Sequence, residues 1–524
     1  MNQKLKYITT PIYYANAVPH IGHLYTTLLG DSFCRFTELI PNTPRAKLIS
    51  GVDEHGIKVQ QAAEAMKIPP QQFCDGISDK FQILFDKSNI KLHRFVRTTE
   101  SSHKEAVQKL WQESHTNGFI TKGYHEGWYD KKEEAFVPSN VLDQLNGKDL
   151  DKSVKEMGLE WISESNYKFL LWKCFDSIKD FLKQPGTIFP SQRASAVMDF
   201  EEQKELSISR CSSRVQWAIP VPRDETQSVY VWFDALTNYL TCLGYPLEKH
   251  EWDSDVDIIH IVGKDILRFH AIYWIAFLSS VNLRKPSRIL CHGHWTKNNT
   301  KMSKSVGNVV CPLDLIDTFG VDCARYYLLR EGRIDSDCSF SWNFAQERIN
   351  SELVDTFGNL LSRSSRFATV STYPEIVDSS LNQIDLDLIS SLNSLQSSIV
   401  PMYDEFLFSK GLESIMDQLR IVNKYFADRE PWVLAKSSNE DDLKVLQNTM
   451  YLTFENLRIC SILLYPVVPE ISLKVLKHLG FDESNLSIDQ CFVGAAKSKG
   501  VASKKIMLVK RKDCISDKME PGSN

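Results

Sequence analysis

Short apolar runs separated by polar turns mark roughly the first 290 residues of the chain. Lys4–Thr10 is a short run with alternating apolar side chains, and it predicts an opening strand. Asp257–Val262 is almost continuously apolar, as expected for a strand that is buried on both faces of a parallel sheet. Between these runs, Ile21, Leu24 and Leu28 recur at helical spacing. The pattern predicts an α/β fold with a Rossmann-like parallel sheet.

From Phe344 onward, helical spacing dominates the pattern. The apolar residues that recur three and four positions apart include Leu353, Phe357, Leu360 and Leu361, then Leu412, Ile415, Met416 and Leu419. Helices with one apolar stripe pack against each other, so this spacing predicts an α-helical bundle through about residue 480. The last forty or so residues are rich in Ser and Lys, and we expect them to be partly extended or mobile.

These changes of pattern predict a sheet domain that is split by an insert and followed by a junction, the bundle and a tail. The predicted parts are 1–110, the first half of the α/β domain; 111–204, the insert; 205–285, the second half; 286–345, the junction with a lysine-containing loop; 346–480, the bundle; and 481–524, the tail.

Composition limits the classes of protein to which the chain can belong. Its 524 residues are 43% hydrophobic, so it can bury several cores. A net charge of −5 gives no global positive field for nucleic acid. Any such contact must come from local basic tracks, and residues 284–304 and 497–512 are the candidates. No apolar run reaches the ~18 residues that span a bilayer, so we expect no membrane segment.

The segment His20–His23 combines two histidines with a glycine behind the first predicted strand. Pro19 stands at a plausible first helical position, which places both imidazoles at a helix N-terminus that favours phosphate. Imidazoles three residues apart share a helix face and can donate to one phosphate chain. Gly22 leaves room for a nucleotide close to the backbone. Alone, the segment fits an ordinary surface helix equally well.

The segment Lys301–Ser305 follows a strand-like run, Arg288–His294, and a polar turn. On a mobile loop, Lys301 and Lys304 can neutralise the charge that grows as pyrophosphate leaves a triphosphate. A solvated basic loop is the alternative for five residues taken alone. The conjunction with the histidine segment favours a site that binds ATP and attacks its α-phosphate.

Two carboxylates follow apolar runs in the way that ligand-binding residues follow parallel strands. Asp53 comes directly after Leu48–Val52, and a carboxylate in that position needs a partner. Gly263 and Asp265 follow the buried run at 257–262, where the glycine permits close approach and the carboxylate can accept from ribose hydroxyls. A lone Gly-x-Asp turn is weak evidence for a binding site. Its place at the end of a predicted strand makes that evidence stronger.

At this point the chain resembles a known family. The histidine and lysine segments together are similar to the signature of class I aminoacyl-tRNA synthetases. Four further stretches narrow the resemblance to methionyl-tRNA synthetases: Thr9–Asn16, Asp53–Gly56, Val231–Ala235 and Gly263–Ile266. The matches run in the family's order from residue 5 to roughly 480.

The resemblance implies an enzyme that activates L-methionine with ATP, as its Mg²⁺ complex, and transfers it to tRNA(Met). It also implies that the bundle is an anticodon-binding domain. The catalytic groups would be His20, His23, Lys301 and Lys304, with Gly22, Gly263, Asp265 and both lysines binding ATP. The methionine pocket would comprise Ile12, Tyr14, Asp53, Trp232, Ala235, Leu236, Tyr239, Ile266 and His270, and the anticodon readers would be Asn359, Arg363 and Trp432. Leu236 stands where the family usually has proline.

The insert departs from the pattern of many family members, which carry zinc in cysteine knuckles. The corresponding stretch, Gly127–Phe136, contains no cysteine, and the 12 cysteines of the chain include no Cys-x-x-Cys pair. Structural zinc needs four nitrogen or sulfur ligands, so we predict no zinc or other bound metal. The scattered thiols indicate a reduced compartment rather than a disulfide framework.

An insert without knuckles, together with Trp217–Pro222, resembles the mitochondrial form of the family. This resemblance implies that the protein is located in the mitochondrial matrix. The cytoplasm is the alternative location, because Met1–Lys6 is too short for a conventional presequence. A monomer is the favoured oligomeric state.

Other classes of function remain open from the sequence. A catalytically silent tRNA-binding relative would not need the intact histidines and lysines. A nucleotidylyltransferase with the same phosphate motifs would not need the bundle and the aromatic pocket. Among synthetases, the missing zinc weighs against cysteine as substrate, and the small insert weighs against isoleucine, leucine or valine. The insert is also too small for a separate editing domain.

Overall fold

The computed structural model describes residues 4–130, 135–137, 158–297, 300–302, 308–367, 373–502 and 506–512. Its strands are β1 (Leu5–Thr9), β2 (Tyr13–Tyr14), β3 (Lys47–Asp53), β4 (Arg94–Arg97), β5 (Ile120–Asp130), β6 (Ala135–Phe136), β7 (Leu159–Phe169), β8 (Ile188–Phe189), β9 (Leu206–Ser207), β10 (Ser209–Cys211), β11 (Pro220–Val221), β12 (Asp224–Val229), β13 (Val256–Gly263), β14 (Arg288–His292), β15 (Trp295–Lys297), β16 (Thr300–Lys301) and β17 (Cys338–Phe340).

Its α-helices are α1 (Ile21–Glu38), α2 (Ile57–Met66), α3 (Pro70–Lys87), α4 (Ser101–Thr116), α5 (Phe175–Lys183), α6 (Val231–Cys242), α7 (Ile275–Ser280), α8 (Pro312–Phe319), α9 (Val321–Glu331), α10 (Trp342–Arg348), α11 (Asn359–Ser364), α12 (Gln383–Asp404), α13 (Phe408–Asp428), α14 (Pro431–Leu434), α15 (Glu440–Leu464) and α16 (Pro469–His478). Two π-helical segments, Phe269–Trp274 and Ile349–Gly358, run directly into α7 and α11.

A parallel sheet lies at the centre of the first half of the molecule. Its order is β2-β3-β1-β13-β14-β8, and β4 also pairs with β3. Strand β13 pairs with β1 and β14, and its side chains from Ile258 to Val262 are all buried, which confirms the prediction of a strand covered on both faces. Because the paired strands run in the same direction, their carboxyl ends share one edge. Asp53, Gly263 and His292 are the last residues of β3, β13 and β14 at that edge.

Helix α1 packs its buried length against this sheet. It begins at Ile21, and His20 is its N-cap with extended backbone angles of φ −131° and ψ 172°. The prediction that Pro19 is the first helical residue was therefore wrong by two positions, because the cap side chain follows the proline. The helix N-terminus itself lies where the sequence predicted it.

The insert contributes a separate antiparallel sheet. Its long strands β5 and β7 pair along their whole length, and β6 and β9 flank them. Helix α4 crosses residue 111 and ends at Thr116. Strand β8 pairs with β14 and so belongs to the large sheet. The domain boundaries given above stay predictions.

The second half of the molecule is helical. Helices α12, α13 and α15 pack side by side, and the predicted apolar stripe of α13, which includes Leu412, Ile415 and Leu419, is fully buried. Asn382 opens α12 through a capping box with Asp385. This arrangement confirms an α-helical bundle after the α/β part.

A buried arginine connects the two halves. The Arg325 guanidinium, on α9, donates from Nη2 to Asp31 Oδ2 of α1 at 2.6 Å and from Nε to the Val467 carbonyl oxygen at 2.9 Å. Its Nη1 donates to the Ser88 carbonyl oxygen at 3.1 Å. Burial would raise the pKa of Asp31, but the charges of Arg325 and Arg35 hold it below its usual value. The α/β domain and the end of the bundle thus share one charged clamp.

Candidate active site

A cavity of about 360 Å³ opens at the carboxyl edge of the parallel sheet. Its lining includes every residue that was predicted for the methionine pocket. It also includes the predicted ATP-binding residues that the structure describes in full. Its lining includes Ile12, Tyr14, His20, Gly22, His23, Asp53, Trp232, Ala235, Leu236, Tyr239, Gly263, Asp265, Ile266 and His270. Segments that lie up to about 290 residues apart in the chain, from Ile12 to Met302, are therefore brought around one cavity.

The two histidines of the first segment form the cap of α1. His20 Nδ1 accepts from the Gly22 N–H at 3.0 Å, and His23 Nδ1 accepts from the His20 N–H at 3.2 Å. This network assigns the proton of each neutral ring to Nε2. The ring centroids are stacked 3.7 Å apart. Burial, with a smaller contribution from His20, lowers the pKa of His23 well below its usual value, so this imidazole is a neutral donor.

Gly22 is required by this cap. A Cβ atom at this position would lie 2.8 Å from His20 Cε1 and 3.0 Å from His20 Nδ1. Any side chain would therefore displace the ring of His20. The sequence predicted room for a nucleotide at Gly22, and in the structure the glycine first makes room for the neighbouring histidine.

The aromatic part of the cavity comes from α6 and the π-helical segment. The Trp232 ring stacks on Phe269 with centroids 3.7 Å apart. His270 Nδ1 lies 2.9 Å from the Ile266 carbonyl oxygen and donates to it, so Nε2 accepts from the Tyr239 hydroxyl at 2.7 Å. Burial lowers the pKa of His270 to about 4 and raises that of Tyr239 well above its usual value. Both side chains are neutral and fixed in orientation.

A second buried layer supports Tyr239. The His260 ring stacks on it with centroids 4.1 Å apart. Trp274 Nε1 donates to His260 Nε2 at 3.1 Å, and His260 Nδ1 then donates to Thr9 Oγ1 at 2.6 Å. The tyrosine ring is thereby held between β1, β13 and the following helix.

The turn after β3 is fixed by its neighbours on both sides of Asp53. Tyr14 lies opposite Asp53 in the register of β2 and β3. The buried Glu54 carboxylate accepts from Arg97 Nε at 2.7 Å, and the Glu54 carbonyl oxygen accepts from Trp217 Nε1 at 2.5 Å. Asp53 therefore stands at the end of a strand whose turn is rigidly held.

A buried carboxylate links this turn to α6. Asp234 Oδ2 lies 2.6 Å from His55 Nδ1, and Asp234 Oδ1 lies 2.7 Å from His103 Nε2. Burial opposes the charge of Asp234, but the two histidines outweigh it and lower its pKa to about 2. Asp234 precedes Ala235 of the cavity lining. The two halves of the cavity are thus connected by one ionised side chain.

The lysine segment reaches the cavity through its methionine. Strands β15 and β16 form a hairpin in front of it, and the buried Met302 side chain lines the cavity. Lys304 and the side chain of Lys301 lie outside the described residues, so their contacts stay predictions.

Four further residues that were not predicted from the sequence line the cavity at the same edge of the sheet. They are His292, the last residue of β14, and Gly293, His294 and Trp295, which follow it. His294 Nε2 lies 3.1 Å from Asp265 Oδ1, and His292 Nε2 lies 2.9 Å from Thr26 Oγ1. Ligands bind where parallel strands end, and this signal, which points to Asp53 and Asp265, also points to the residues at the end of β14.

The predicted anticodon readers lie on neighbouring elements of the bundle. Asn359 and Arg363 are on α11, one turn apart, and the Arg363 guanidinium lies 5.3 Å from the Phe426 ring centroid of α13. Trp432 follows in α14 and is 37% exposed, so its ring is available to a partner. None of the three lines the cavity.

Comparisons with known proteins agree with this geometry. A family model described as tRNA synthetases class I (M) matches residues 6–365. The mitochondrial methionine–tRNA ligase of Homo sapiens is 38% identical over 510 residues, which cover 93% of this chain and 86% of that protein. The methionine–tRNA ligase of Rickettsia felis is 38% identical over 490 residues, which cover 91% of this chain and 92% of that protein.

A solved structure is similar over nearly the whole chain. It is the methionyl-tRNA synthetase of Mycobacterium tuberculosis in complex with methionyl-adenylate, which is 34% identical, with a TM-score of 0.88. The alignment covers 97% of this chain and 100% of that one.

The chain therefore belongs to the class I tRNA synthetases and, within that class, to the methionine–tRNA ligase family. It is an aminoacyl-tRNA ligase, with ATP as a substrate, and the resemblance stated from the sequence is confirmed.

Among the described residues, no group of three or more His, Cys, Asp or Glu side chains is arranged to hold a metal ion. No helix in the same part of the chain is long and apolar enough to cross a lipid bilayer.

Proposed function

We propose that the cavity holds L-methionine and ATP together and joins them. The methionine carboxylate attacks the α-phosphorus in line, the bond from the α-phosphorus to the bridging oxygen breaks, and methionyl adenylate and pyrophosphate form. The observation that carries this proposal is one cavity lined both by stacked aromatic rings and by a histidine pair at a helix N-terminus. Positioning and charge stabilisation supply the catalysis, and no side chain acts as nucleophile.

The amino acid would occupy the aromatic part of the cavity. Asp53 would bind the α-ammonium group, because a carboxylate at the strand edge is the natural partner for that charge. Tyr239, His270 and Trp232 would surround the thioether. Each sulfur–aromatic contact contributes only ~0.3–1.5 kcal/mol, so several fixed rings are needed. Ile12, Tyr14, Ala235, Leu236 and Ile266 would form the remaining wall.

The phosphates would lie against the N-terminus of α1. His20 and His23 would donate from Nε2, and the helix dipole adds to the same field. Lys301 and Lys304 would neutralise the charge that develops on the departing pyrophosphate. ATP enters as its Mg²⁺ complex, and that ion is part of the substrate. These side chains would stabilise charge that develops in the transition state, which is where binding energy accelerates the reaction.

The nucleoside would lie over the end of β13. Gly263 permits close approach of the backbone, and the Asp265 carboxylate can accept from a ribose hydroxyl. The contact with His294 would hold this carboxylate in place.

The second step transfers the methionyl group to tRNA(Met). Resemblance to class I enzymes implies attack by the terminal adenosine 2′-hydroxyl on the acyl carbon, with AMP as the leaving group. Asn359, Arg363 and Trp432 would bind the anticodon, the tryptophan by stacking on an unpaired base. One methylene gives only ~1–3 kcal/mol of discrimination, so we expect some correction of errors. Because the insert is too small for a separate editing domain, we expect that correction to occur in the synthetic cavity.

We also propose that the enzyme carries no structural zinc. The support is the absence of cysteine from residues 127–136 and of any Cys-x-x-Cys pair. Stoichiometric zinc in elemental analysis of the purified protein would overturn this proposal.

We place the enzyme in the mitochondrial matrix. The support is the mitochondrial naming of relatives from Homo sapiens and Dictyostelium discoideum, each 38% identical to this chain. Immunogold labelling of the native protein would test it, and label confined to the cytoplasm would favour the alternative.

Amino-acid-dependent ATP–pyrophosphate exchange tests the proposed function. Exchange is measured with each of the twenty amino acids, followed by charging of tRNA(Met). We expect exchange with methionine and at most weak exchange with any other. Absence of exchange with all twenty would favour a silent tRNA-binding relative, and exchange with another amino acid would reassign the substrate.

A further inference from the structure

A short segment, residues 506–512, lies along the π-helical stretch that runs into α11, the helix that carries two of the proposed anticodon readers. Asn350 Nδ2 donates to the Lys512 carbonyl oxygen at 2.9 Å, and the Lys512 N–H donates to Asn350 Oδ1 at 3.1 Å. Leu508 is buried and lies against Gly358. One reciprocal pair of hydrogen bonds and one apolar anchor thus fix this segment along the π-helical stretch before α11.

The segment makes a charged contact one helical turn before Asn359. Arg511 Nη2 donates to both carboxylate oxygens of Asp355. Asn359 Nδ2 donates to Asp355 Oδ1 at 3.2 Å. Three side chains therefore form a chain of hydrogen bonds that begins in the C-terminal segment and ends at a proposed reader.

These hydrogen bonds determine which polar atoms of the Asn359 amide remain for a ligand. One of its two Nδ2–H groups donates to Asp355, which orients the amide and leaves the amide oxygen and the second N–H for a ligand. The oxygen can accept from the exocyclic amino group of cytosine or adenine, and the N–H can donate to a ring nitrogen of the same base. The side chain is exposed, so an unpaired base can reach it.

Charge also favours a nucleic-acid partner here. Asp355 alone would repel an incoming phosphate, and Arg511 neutralises it. Lys510 is exposed beside it and Lys512 is half-buried, so the segment adds positive charge to a protein whose net charge is −5. These are the features of a local basic track that contacts a phosphate backbone.

We propose that residues 506–512 are part of the anticodon-binding surface, with Arg511 positioning Asn359 through Asp355 and the neighbouring lysines contacting RNA phosphates. The proposal rests on the proposed function, in which Asn359 meets the anticodon. It extends that function to a segment of the chain that follows the bundle.

Arg511→Gln tests the positioning role. We expect kcat/KM for charging of tRNA(Met) to fall about tenfold, the cost of ~1.4 kcal/mol of lost binding, while methionine-dependent pyrophosphate exchange stays at the wild-type rate. Arg511→Lys keeps a cation beside Asp355 and should retain most of the charging. Arg45→Gln is the matched control, because Arg45 is a comparably exposed arginine that pairs with Glu38 of α1 outside the bundle, and it should charge normally.

A double-mutant cycle separates positioning from a loss of general charge. If Arg511 acts through Asn359, the double variant Arg511→Gln, Asn359→Ala should charge no more slowly than Asn359→Ala alone. Full additivity would overturn the relay. Wild-type charging by Arg511→Gln, or an equal loss of exchange and charging, would overturn the whole proposal. Wild-type protein without methionine-dependent exchange would instead refute the proposed function.

Discussion

His20 and His23 have a structural role at the start of α1 that is separate from their proposed catalytic role. Their Nδ1 atoms accept backbone N–H groups at the start of α1, which are donors that a helix leaves without internal partners. The pKa of His23 is lowered, so its neutral form persists to well below pH 6.5. In the folded protein it therefore donates from Nε2 at neutral pH without carrying a charge, and acidification must fall below the ordinary histidine pKa before that changes.

His23→Ala should slow methionyl-adenylate formation by at least ~10²-fold, because one preorganised donor contributes ~3 kcal/mol at the transition state. His23→Gln should recover part of the rate, since its amide nitrogen occupies a position close to Nε2. His93→Ala serves as the control, because His93 does not line the cavity. The measurement is pyrophosphate exchange at saturating methionine and ATP. An exchange rate equal to wild type in His23→Ala would refute the role of this donor.

Helix α6 and the turn after β3 depend on each other through Asp234. Its two oxygens face His55, two residues after Asp53, and His103 on α4. Residues on both sides of this contact line the cavity, so their spacing depends on the Asp234 carboxylate and the two imidazole rings. A shift of these elements would move Asp53 relative to Trp232 and Ala235. Under the proposed function, it would weaken binding of the amino acid more than binding of the nucleotide.

Asp234→Asn should raise KM for methionine about tenfold or more, since small displacements of positioning groups cost up to ~10²-fold, and should leave KM for ATP nearly unchanged. Asp224→Asn is a suitable control, because the pKa of Asp224 is also about 2, yet its partners Lys122 and Thr226 lie outside the cavity lining. Steady-state exchange kinetics with each substrate varied in turn provide the test. Equal increases in both KM values would argue against a specific effect on the amino-acid side.

The sequence predicted the elements whose pattern is local. The runs at 48–52 and 257–262 are strands because continuous apolar residues must be covered on both faces, and the helix behind His20 follows its spacing. The Asp234 network joins residues 179 and 131 positions apart, and no local period encodes such contacts. The sequence also did not reveal the structural role of Gly22, since that role depends on the side-chain conformation of His20.

At the scale of the whole molecule, Arg325 makes the α/β domain and the bundle one unit. Its guanidinium is buried and shared by α1, the end of α3 and the segment after α15. Under the proposed function, in which the bundle binds the anticodon, this contact would keep a fixed distance between the two ends of a bound tRNA.

Arg325→Met should lower the free energy of unfolding by ~3 kcal/mol, because it leaves buried carbonyl oxygens without a donor and removes one cation from Asp31. Lys499→Met, which breaks an exposed ion pair with Asp482, should leave it nearly unchanged, because solvent screens such pairs. Urea unfolding followed by tryptophan fluorescence would measure both. Equal stability of the two variants would show that the clamp contributes little.

The pairing of β1 with β13 has a consequence for synthesis of the protein on the ribosome. Leu5 lies opposite Val256, so the first strand has no neighbour on that side until about half of the polypeptide has emerged. During this interval its apolar side chains and its unused backbone groups must be shielded by something other than their final partner. Translation pauses after residue 263 would therefore lengthen the useful time for assembly, whereas pauses before residue 256 would lengthen exposure to chaperones and proteases.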